Sequence, residues 1–226
     1  MNEFWAAIIG AIVGGMISLL TTALFNWQAE IRLRKSRLVT LQFRLSECLT
    51  DLHKINQHLL ESLTKDGKTV VQKDNFVQHV LELRGGNTAL VAIRPTELAI
   101  LYKKEHDQLV QDISELIRAR NIASTMLEEY NVLKHEIDEK MAALGKFQKD
   151  GERYRLMADL DVNKDTVLMG KIFKGNDLID HLFGMLAEVL EEKKNVITDL
   201  NAAVRRYFPF WVKTKRLEMV SKLKRG

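Results

Sequence analysis

The chain has 226 residues, of which 46% are hydrophobic and 28% charged, and its formal net charge is +4. This length supports one sizeable domain and leaves little room for a second, independent enzyme domain. Two prolines and twelve glycines are spread through a composition rich in helix-forming residues, so the sequence predicts an all-α fold. The single cysteine, Cys48, excludes an intramolecular disulfide and fits a reducing compartment.

Residues 4–25 carry no charged side chain. A helix of this length, at about 1.5 Å per residue, covers the roughly 30 Å hydrocarbon core of a bilayer. A buried helix of a soluble protein is a less favoured alternative for so long an uncharged run. A cleaved signal peptide is less favoured still, because no basic segment precedes the run and no small-x-small cleavage site closes it. Residues 1–27 are therefore predicted to be a transmembrane helix with a short N-terminal outside segment.

The flanks of this segment indicate its orientation. Asn2 and Glu3 precede it, whereas the residues that follow are rich in cations, namely Arg32, Arg34, Lys35 and Arg37. By the positive-inside rule the C-terminal side is cytoplasmic, and Trp5 and Trp27 fall where indoles prefer the headgroup region. The sequence thus predicts a single-pass protein of the cell's inner (plasma) membrane, with its N-terminus outside and a cytoplasmic C-terminal domain.

A column of small or polar residues recurs every four positions along the predicted span. Its members, called here the small-residue column, are Ala6, Gly10, Gly14, Ser18, Thr22, Asn26 and Glu30. Small residues allow membrane helices to approach closely, so we expect copies of the chain to associate through this column. Because the column becomes more polar toward Glu30, several copies around an axis could line a pore with a ring of Glu30 at its mouth. A simple dimer seam is the somewhat favoured alternative.

Residues 28–204 are predicted to form a cytoplasmic helical bundle. No glycine or proline occurs between Met16 and Asp66, so the membrane helix is expected to continue as one rod to Leu63. A heptad seam with coiled-coil-like spacing, for contacts within the bundle or between copies, lies on this rod at Leu38, Leu41, Leu45, Cys48, Leu52, Ile55 and Leu59. Apolar residues outside the seam favour a bundle helix with several neighbours over an isolated two-stranded coiled coil.

Further helices are predicted from apolar stripes and from glycine and proline punctuation. They are a short helix over residues 74–84, a long helix over 95–144 with a bend near 118–120, a short helix after Gly151, another ending at Phe173, and a long helix from Asp177 to near Pro209. Residues 87–94 fit either a short helix or an extended segment. The architecture expected is an elongated bundle with a single membrane anchor.

Motifs for catalysis, cofactors and metals are weak. Gly67-Lys68-Thr69 resembles the end of a phosphate-binding loop, but Ser62 stands at the position of the first glycine and a helix precedes the motif. Residues 159–165 alternate oxygen ligands as a calcium loop does, yet Lys164 replaces the turn glycine, and a helix-capping turn explains them better. The six histidines show no metal-binding spacing. We therefore predict no enzyme activity, no cofactor and no metal.

Residues 205–226 form a basic, aromatic and amphipathic tail. The residues expected to make surface contacts, in addition to the four cations that follow the span, are Arg205, Arg206, Phe210, Trp211, Lys213, Lys215 and Arg216. Aromatic and cationic residues together suit an anionic membrane surface, which is the favoured partner for a chain attached to a bilayer. A protein contact within the oligomer comes second, and nucleic acid is the least favoured partner.

Taken together, these patterns predict a homo-oligomeric single-pass membrane effector. It would act as a gated channel or a membrane-disrupting protein, controlled by a cytoplasmic helical domain that responds to a protein or small-molecule signal. The alternative is a non-enzymatic scaffold that recruits a protein partner to the inner membrane surface. A ligand-regulated enzyme is a third class, and no converging set of titratable residues supports it.

Overall fold

The computed structural model describes residues 2–65, 68–69, 71–82, 90–102, 106–144, 146–150, 153–157 and 165–207. Helices make up most of these residues, which confirms the predicted helical fold. They are α1 (Asn2–Leu63), a 3-10 helix (Lys73–Asn75), α2 (Phe76–His79), α3 (Pro95–Tyr102), α4 (Asp107–Leu144), α5 (Thr166–Glu192) and α6 (Val196–Tyr207).

Two short antiparallel hairpins connect the helices. β1 (Thr64–Lys65) pairs with β2 (Lys68–Thr69), and β3 (Lys146–Asp150) pairs with β4 (Arg153–Met157). In both hairpins the paired strands are separated by two residues of sequence, and each connection contains the glycine of an Asp-Gly dipeptide, a frequent hairpin signal. The short helix predicted after Gly151 is wrong, because this stretch is the second strand of a hairpin.

Helix α1 runs for 62 residues without a break and ends at Leu63, as predicted. Its C-terminal part joins the hydrophobic core, which also contains residues of α2 to α6. The seven seam residues of α1 are all buried inside the single chain. Burial of a fully enclosed leucine contributes about 1.5–3 kcal/mol, so this row is a major source of the bundle's stability.

Specific contacts give the relative directions of the helices. Arg120 of α4 reaches Asp51 of α1, and farther along α4 Tyr130 bonds the carbonyl of Val80, whose neighbour Leu81 contacts His58 of α1. Helices α1 and α4 therefore run in the same direction. Helix α5 runs the opposite way, because its start pairs with the end of α4 and its end pairs with the start, through Lys171–Glu136, Lys174–Glu129 and Lys193–Asp112.

Several helix boundaries differ from the sequence prediction. The helix predicted over residues 74–84 ends at His79. The second long helix is interrupted between Tyr102 and Asp107, whereas α4 continues through 118–120, where a bend was predicted. Helix α5 continues through Gly175 and Asn176, which were predicted to separate two helices. The helix is interrupted instead at residues 193–195, which form a turn between α5 and α6.

A non-local contact explains why Gly175 and Asn176 lie inside a helix. A Cβ at Gly175 would stand 2.7 Å from Cγ2 of Val77, so only glycine permits this approach of α2 to α5. The Asn176 side chain accepts a hydrogen bond from the Val77 amide and donates one to the Asp74 carbonyl. The amide of Asn176 therefore satisfies the backbone of the 73–77 segment from within α5.

Candidate functional site: the exposed half of the first helix

Residues 4–37 of α1, called here the exposed half, contain no buried side chain among those the structure describes. Among the helices in the described ranges, α1 is the one long and apolar enough to cross a membrane. Its large apolar side chains are open to the surroundings, for example Leu19 and Leu20, which are 73% and 65% exposed. No other part of the described chain covers this surface.

Gly10, Gly14, Ser18 and Thr22 of the small-residue column lie within an arc of about 120° around the exposed half. The whole column winds through about 240° from Ala6 to Glu30, because four residues exceed one helical turn by about 40°. Ala6 is helical, but its side chain lies outside the described residues, and the other six members are exposed. A Cβ added at Gly10 or Gly14 would meet nothing within 4 Å, so the backbone at this face is open to a close neighbour. The predicted contact between copies through this column stays a prediction.

The two threonine hydroxyl groups of the exposed half are bonded within the helix. Thr22 Oγ1 donates to the Ser18 carbonyl at 2.9 Å, and Thr21 Oγ1 donates to the Ile17 carbonyl at 2.7 Å. Each donor is thereby satisfied without a neighbour, while the lone pairs of the oxygen still point outward as acceptors. A helix with this arrangement tolerates an apolar environment and still offers oxygen atoms to a cation or to water.

The two ends of the apolar run carry aromatic and charged groups. Phe4 and Trp5 pack edge to face with ring centroids 6.1 Å apart, and Trp27 is 59% exposed at the other end. Glu30 forms an ion pair with Arg34 one turn later on the same helix. The carboxylate predicted to face a pore therefore has a cation beside it in the single chain, which offsets its charge.

The exposed half joins the core without a break in the helix. Leu38 is the first buried residue, and the buried row then continues through Leu41, Leu45 and Cys48. Burial raises the pKa of the Cys48 thiol from about 9 to about 11, so this side chain is a neutral packing group at physiological pH and not a reactive nucleophile. The exposed half is thus held at its base by the packed core.

An ion pair between the buried Arg120 and the half-buried Asp51 joins α1 to α4 near the middle of the core. The Arg120 side chain is 1% exposed, and its Nη2 and Nε lie 3.1 and 3.3 Å from Oδ2 of Asp51. Sequence reasoning placed a bend near Arg120 and missed this pair. The signal was present, because Arg120 occupies a position of the apolar stripe between Leu116 and Ala123, where a cation requires a partner.

A second set of charges fastens the end of α5 to the start of α4. Lys193 Nζ lies 2.9 Å from Asp112 Oδ1 and 2.6 Å from Glu115 Oε2. The hydrogen bond to Asp112, followed by the one to Glu115, raises the pKa of Lys193, and the hydrogen bond from Lys193 lowers the pKa of Glu115. This contact stands where the chain turns from α5 into α6.

The weak motifs gain no support from the described residues. Lys68 and Thr69 form a strand that follows a helix, whereas a phosphate-binding loop leads from a strand into a helix. Asp165 precedes α5 but makes no side-chain capping bond, and residues 159–164 of the calcium-like segment lie outside the described residues. No group of three or more His, Cys, Asp or Glu side chains in the described ranges could hold a metal ion.

The predicted surface contacts fall partly within the structure. Arg32 and Arg34 are exposed on α1, Lys35 and Arg37 are half-buried there, and Arg205 and Arg206 are exposed on the last turn of α6. The other five members of the predicted set lie outside the described residues, namely Phe210, Trp211, Lys213, Lys215 and Arg216.

Comparison of the chain with family models, with curated proteins and with solved structures finds no match. Function is therefore inferred from the chain's own residues.

Proposed function

We propose that the chain is a homo-oligomeric single-pass membrane effector, in which the helical bundle controls how the membrane-spanning parts of several copies are arranged. The observation that carries the proposal is the continuity of α1, whose exposed apolar half and buried half form one uninterrupted helix. The effect on the membrane would be ion conduction or disruption of the bilayer. No catalytic chemistry is required.

The exposed apolar half supports a membrane location. Each large apolar side chain removed from water contributes about 1.5–3 kcal/mol, so a run such as Ile12 to Leu20 strongly favours an apolar surrounding. The i to i−4 bonds of Thr21 and Thr22 also satisfy their donors without water. The positive-inside rule then favours the bundle, which follows the cations at residues 32–37, on the cytoplasmic side.

The open face around Gly10 and Gly14 supports self-association. In lipid there is no hydrophobic drive between spans, so contact depends on close packing and on small residues that permit it. With no neighbour within 4 Å of either glycine, the face is available for another copy.

Control by the bundle follows from rigidity. The buried row from Leu38 onward and the Arg120–Asp51 pair hold α1 against α4. Because α1 is one continuous helix, a rearrangement of the bundle that rotates its buried half would turn the exposed half as well. A partner or ligand that prefers one arrangement of the bundle could thereby shift the population of membrane arrangements.

The test is ion flux from the purified chain in liposomes, with a matched pair of variants. Thr22→Leu replaces a hydroxyl of the small-residue column with a large apolar side chain, and Ala23→Leu places the same side chain on the far side of the helix from Gly14 and Ser18. A conducting effector loses flux, by tenfold or more, only with Thr22→Leu. Absence of conductance and of leakage under all conditions, with Thr22→Leu harmless in cells, would contradict the proposal.

A membrane scaffold is the second candidate. It is favoured by the internal bonding of the Thr21 and Thr22 hydroxyls, which a simple lipid-facing anchor also needs. Replacing residues 4–25 with a polyleucine helix separates the two functions. A scaffold keeps its activity in cells after this replacement, whereas an effector that acts through the small-residue column loses it.

A further inference from the structure

We propose that the end of the bundle nearest the exposed half carries a lipid-binding surface, called here the basal surface. It is formed by Arg32, Arg34 and Arg37 of α1 together with Arg205 and Arg206 of α6, and it binds anionic phospholipid headgroups. The inference rests on the proposed membrane location and adds a partner to it. The two basic groups are far apart in the sequence, and the fold brings them to the same end.

The position of α6 follows from two contacts. Gln42 Nε2 of α1 donates to Asn201 Oδ1 of α6 at 2.5 Å, which sets the middle of α6 beside α1 just above Leu38. An open recess is lined by residues 106, 108, 109 and 112 at the start of α4 and by Asp199, Ala202, Ala203 and Arg206 of α6. Lys193, three residues before α6, lies beside Asp112 and Glu115 of α4. Helix α6 therefore runs from the level of Asp112 toward the start of α4.

Because α4 and α1 run in the same direction, the start of α4 lies on the side of the exposed half. The last turn of α6 points to that side too. Arg205 lies one turn beyond Asn201, and Arg37 lies a little more than one turn before Gln42, a rise of about 6–8 Å in each case. The fold thus places both arginines at similar heights at the base of the bundle.

The charge at this end is incompletely balanced. Arg32, Arg37, Arg205 and Arg206 form no ion pair within the part of the chain that the structure describes, and Arg34 pairs with Glu30. The two segments that form this surface, residues 30–37 and 199–207, contain two acidic residues, Glu30 and Asp199, against six basic residues when Lys35 is included. The basal surface thus has an excess of positive charge, whereas most cations higher on the bundle, such as Lys171 and Lys193, are paired with carboxylates.

Continuity with the apolar run selects lipid as the partner. Arg32 follows Trp27 by little more than one helical turn, and Leu33, 50% exposed, stands among the cations. A surface at this height meets the headgroup layer of the leaflet that the exposed half crosses, and each cation near an anionic leaflet contributes about a factor of five in binding. A bilayer around the exposed half would obstruct the approach of a nucleic acid to the same arginines, so lipid is the favoured partner.

The test uses Trp27 as a reporter of the lipids beside the basal surface. The full chain with Trp5→Phe and Trp211→Phe, which leaves Trp27 as the sole tryptophan, is reconstituted in phosphatidylcholine and phosphatidylglycerol. Brominated forms of each lipid quench Trp27 fluorescence in proportion to their local occupancy. We expect a preference for phosphatidylglycerol of about fivefold or more, which falls to near one with R32Q, R37Q, R205Q and R206Q combined.

Two further variants control for charge and for folding. The same four positions changed to lysine keep the charge and should keep the preference. Neutralising four exposed cations on the rest of the bundle (K54Q, R118Q, K140Q and K174Q) changes the net charge equally and should leave the preference intact.

Equal quenching by both lipids in the inserted unmodified chain would overturn the inference and leave the proposed function standing. Absence of quenching by any brominated lipid would overturn the membrane location itself. Binding of a short DNA duplex that is lost with the four glutamine substitutions, without a lipid preference, would assign the surface to nucleic acid and also contradict the inference.

Discussion

The two halves of α1 belong to one continuous helix, yet they are stabilised by different surroundings. The half from Leu38 to Leu63 buries a row of leucines against α4, α5 and the other helices of the chain. The half from residue 4 to residue 37 buries nothing within the chain and presents its apolar side chains outward. Both halves form a helix because of their local sequence. What each half packs against depends on its charge and on the spacing of its apolar residues.

The largest expected contrast between the halves is in the response to leucine truncation. Leu45→Ala removes a fully buried side chain and should lower the free energy of unfolding of the bundle by about 2–5 kcal/mol, because a cavity is left in the core. Leu20→Ala should change it by less than about 0.5 kcal/mol. Denaturant unfolding in mild detergent, followed by circular dichroism, measures both. Equal losses would show that the exposed half is part of the bundle's core.

A glycine in the core provides a smaller and sharper contrast. Gly175→Ala places a methyl group 2.7 Å from a buried valine and should destabilise the bundle by about 1–3 kcal/mol through overpacking. Gly184→Ala, on the same helix with nothing within 4 Å, should stabilise it by up to about 1 kcal/mol through helix propensity. The comparison is again made by denaturant unfolding. A stabilising Gly175→Ala would refute the close approach of α2 to α5.

The smallest expected change in stability comes from the ion pairs that hold the end of α5 to the start of α4. The lowered pKa of Glu115 means that its contribution to stability is present above about pH 4.5 and is lost as the pH falls through its folded pKa. In Lys193→Gln this acid-dependent loss should shrink, and the melting temperature at pH 7 should fall by a few degrees. Melting curves between pH 3 and pH 7 test this, with Lys194→Gln as the control, because its partner Glu191 lies only three residues earlier, at the end of α5.

Much of the fold could be predicted because its signals are local. The uncharged run, the end of α1 at Leu63 and the buried seam follow from charge and from three- and four-residue spacing alone. The hairpin at residues 146–157 was missed, although Asp150-Gly151 between strands of alternating character is a hairpin signal. Its strands are short, and Gly145, which follows the long helix α4, was interpreted only as the end of that helix.

The remaining features depend on contacts between distant residues. Gly175 and Asn176 resemble a helix break until Val77 and Asp74 are seen to pack against them, 98 and 102 residues earlier in the chain for these two pairs. The basal surface is likewise invisible to a local pattern, because it depends on the direction of α6 relative to α1. Sequence reasoning recognised the two basic groups separately and had no means to bring them together.

Disulfide crosslinking between copies in lipid tests the central claim most directly. Single cysteines are introduced along residues 9–22 in a Cys48→Ala background, with Gly14→Cys and Gly15→Cys as the decisive pair because neither side chain meets another part of the chain. If the exposed half is a membrane span that assembles through the small-residue column, crosslinking peaks at positions 10, 14, 18 and 22 and is weak at 12, 15 and 20. Equal crosslinking at all positions, or none at any, would contradict the account.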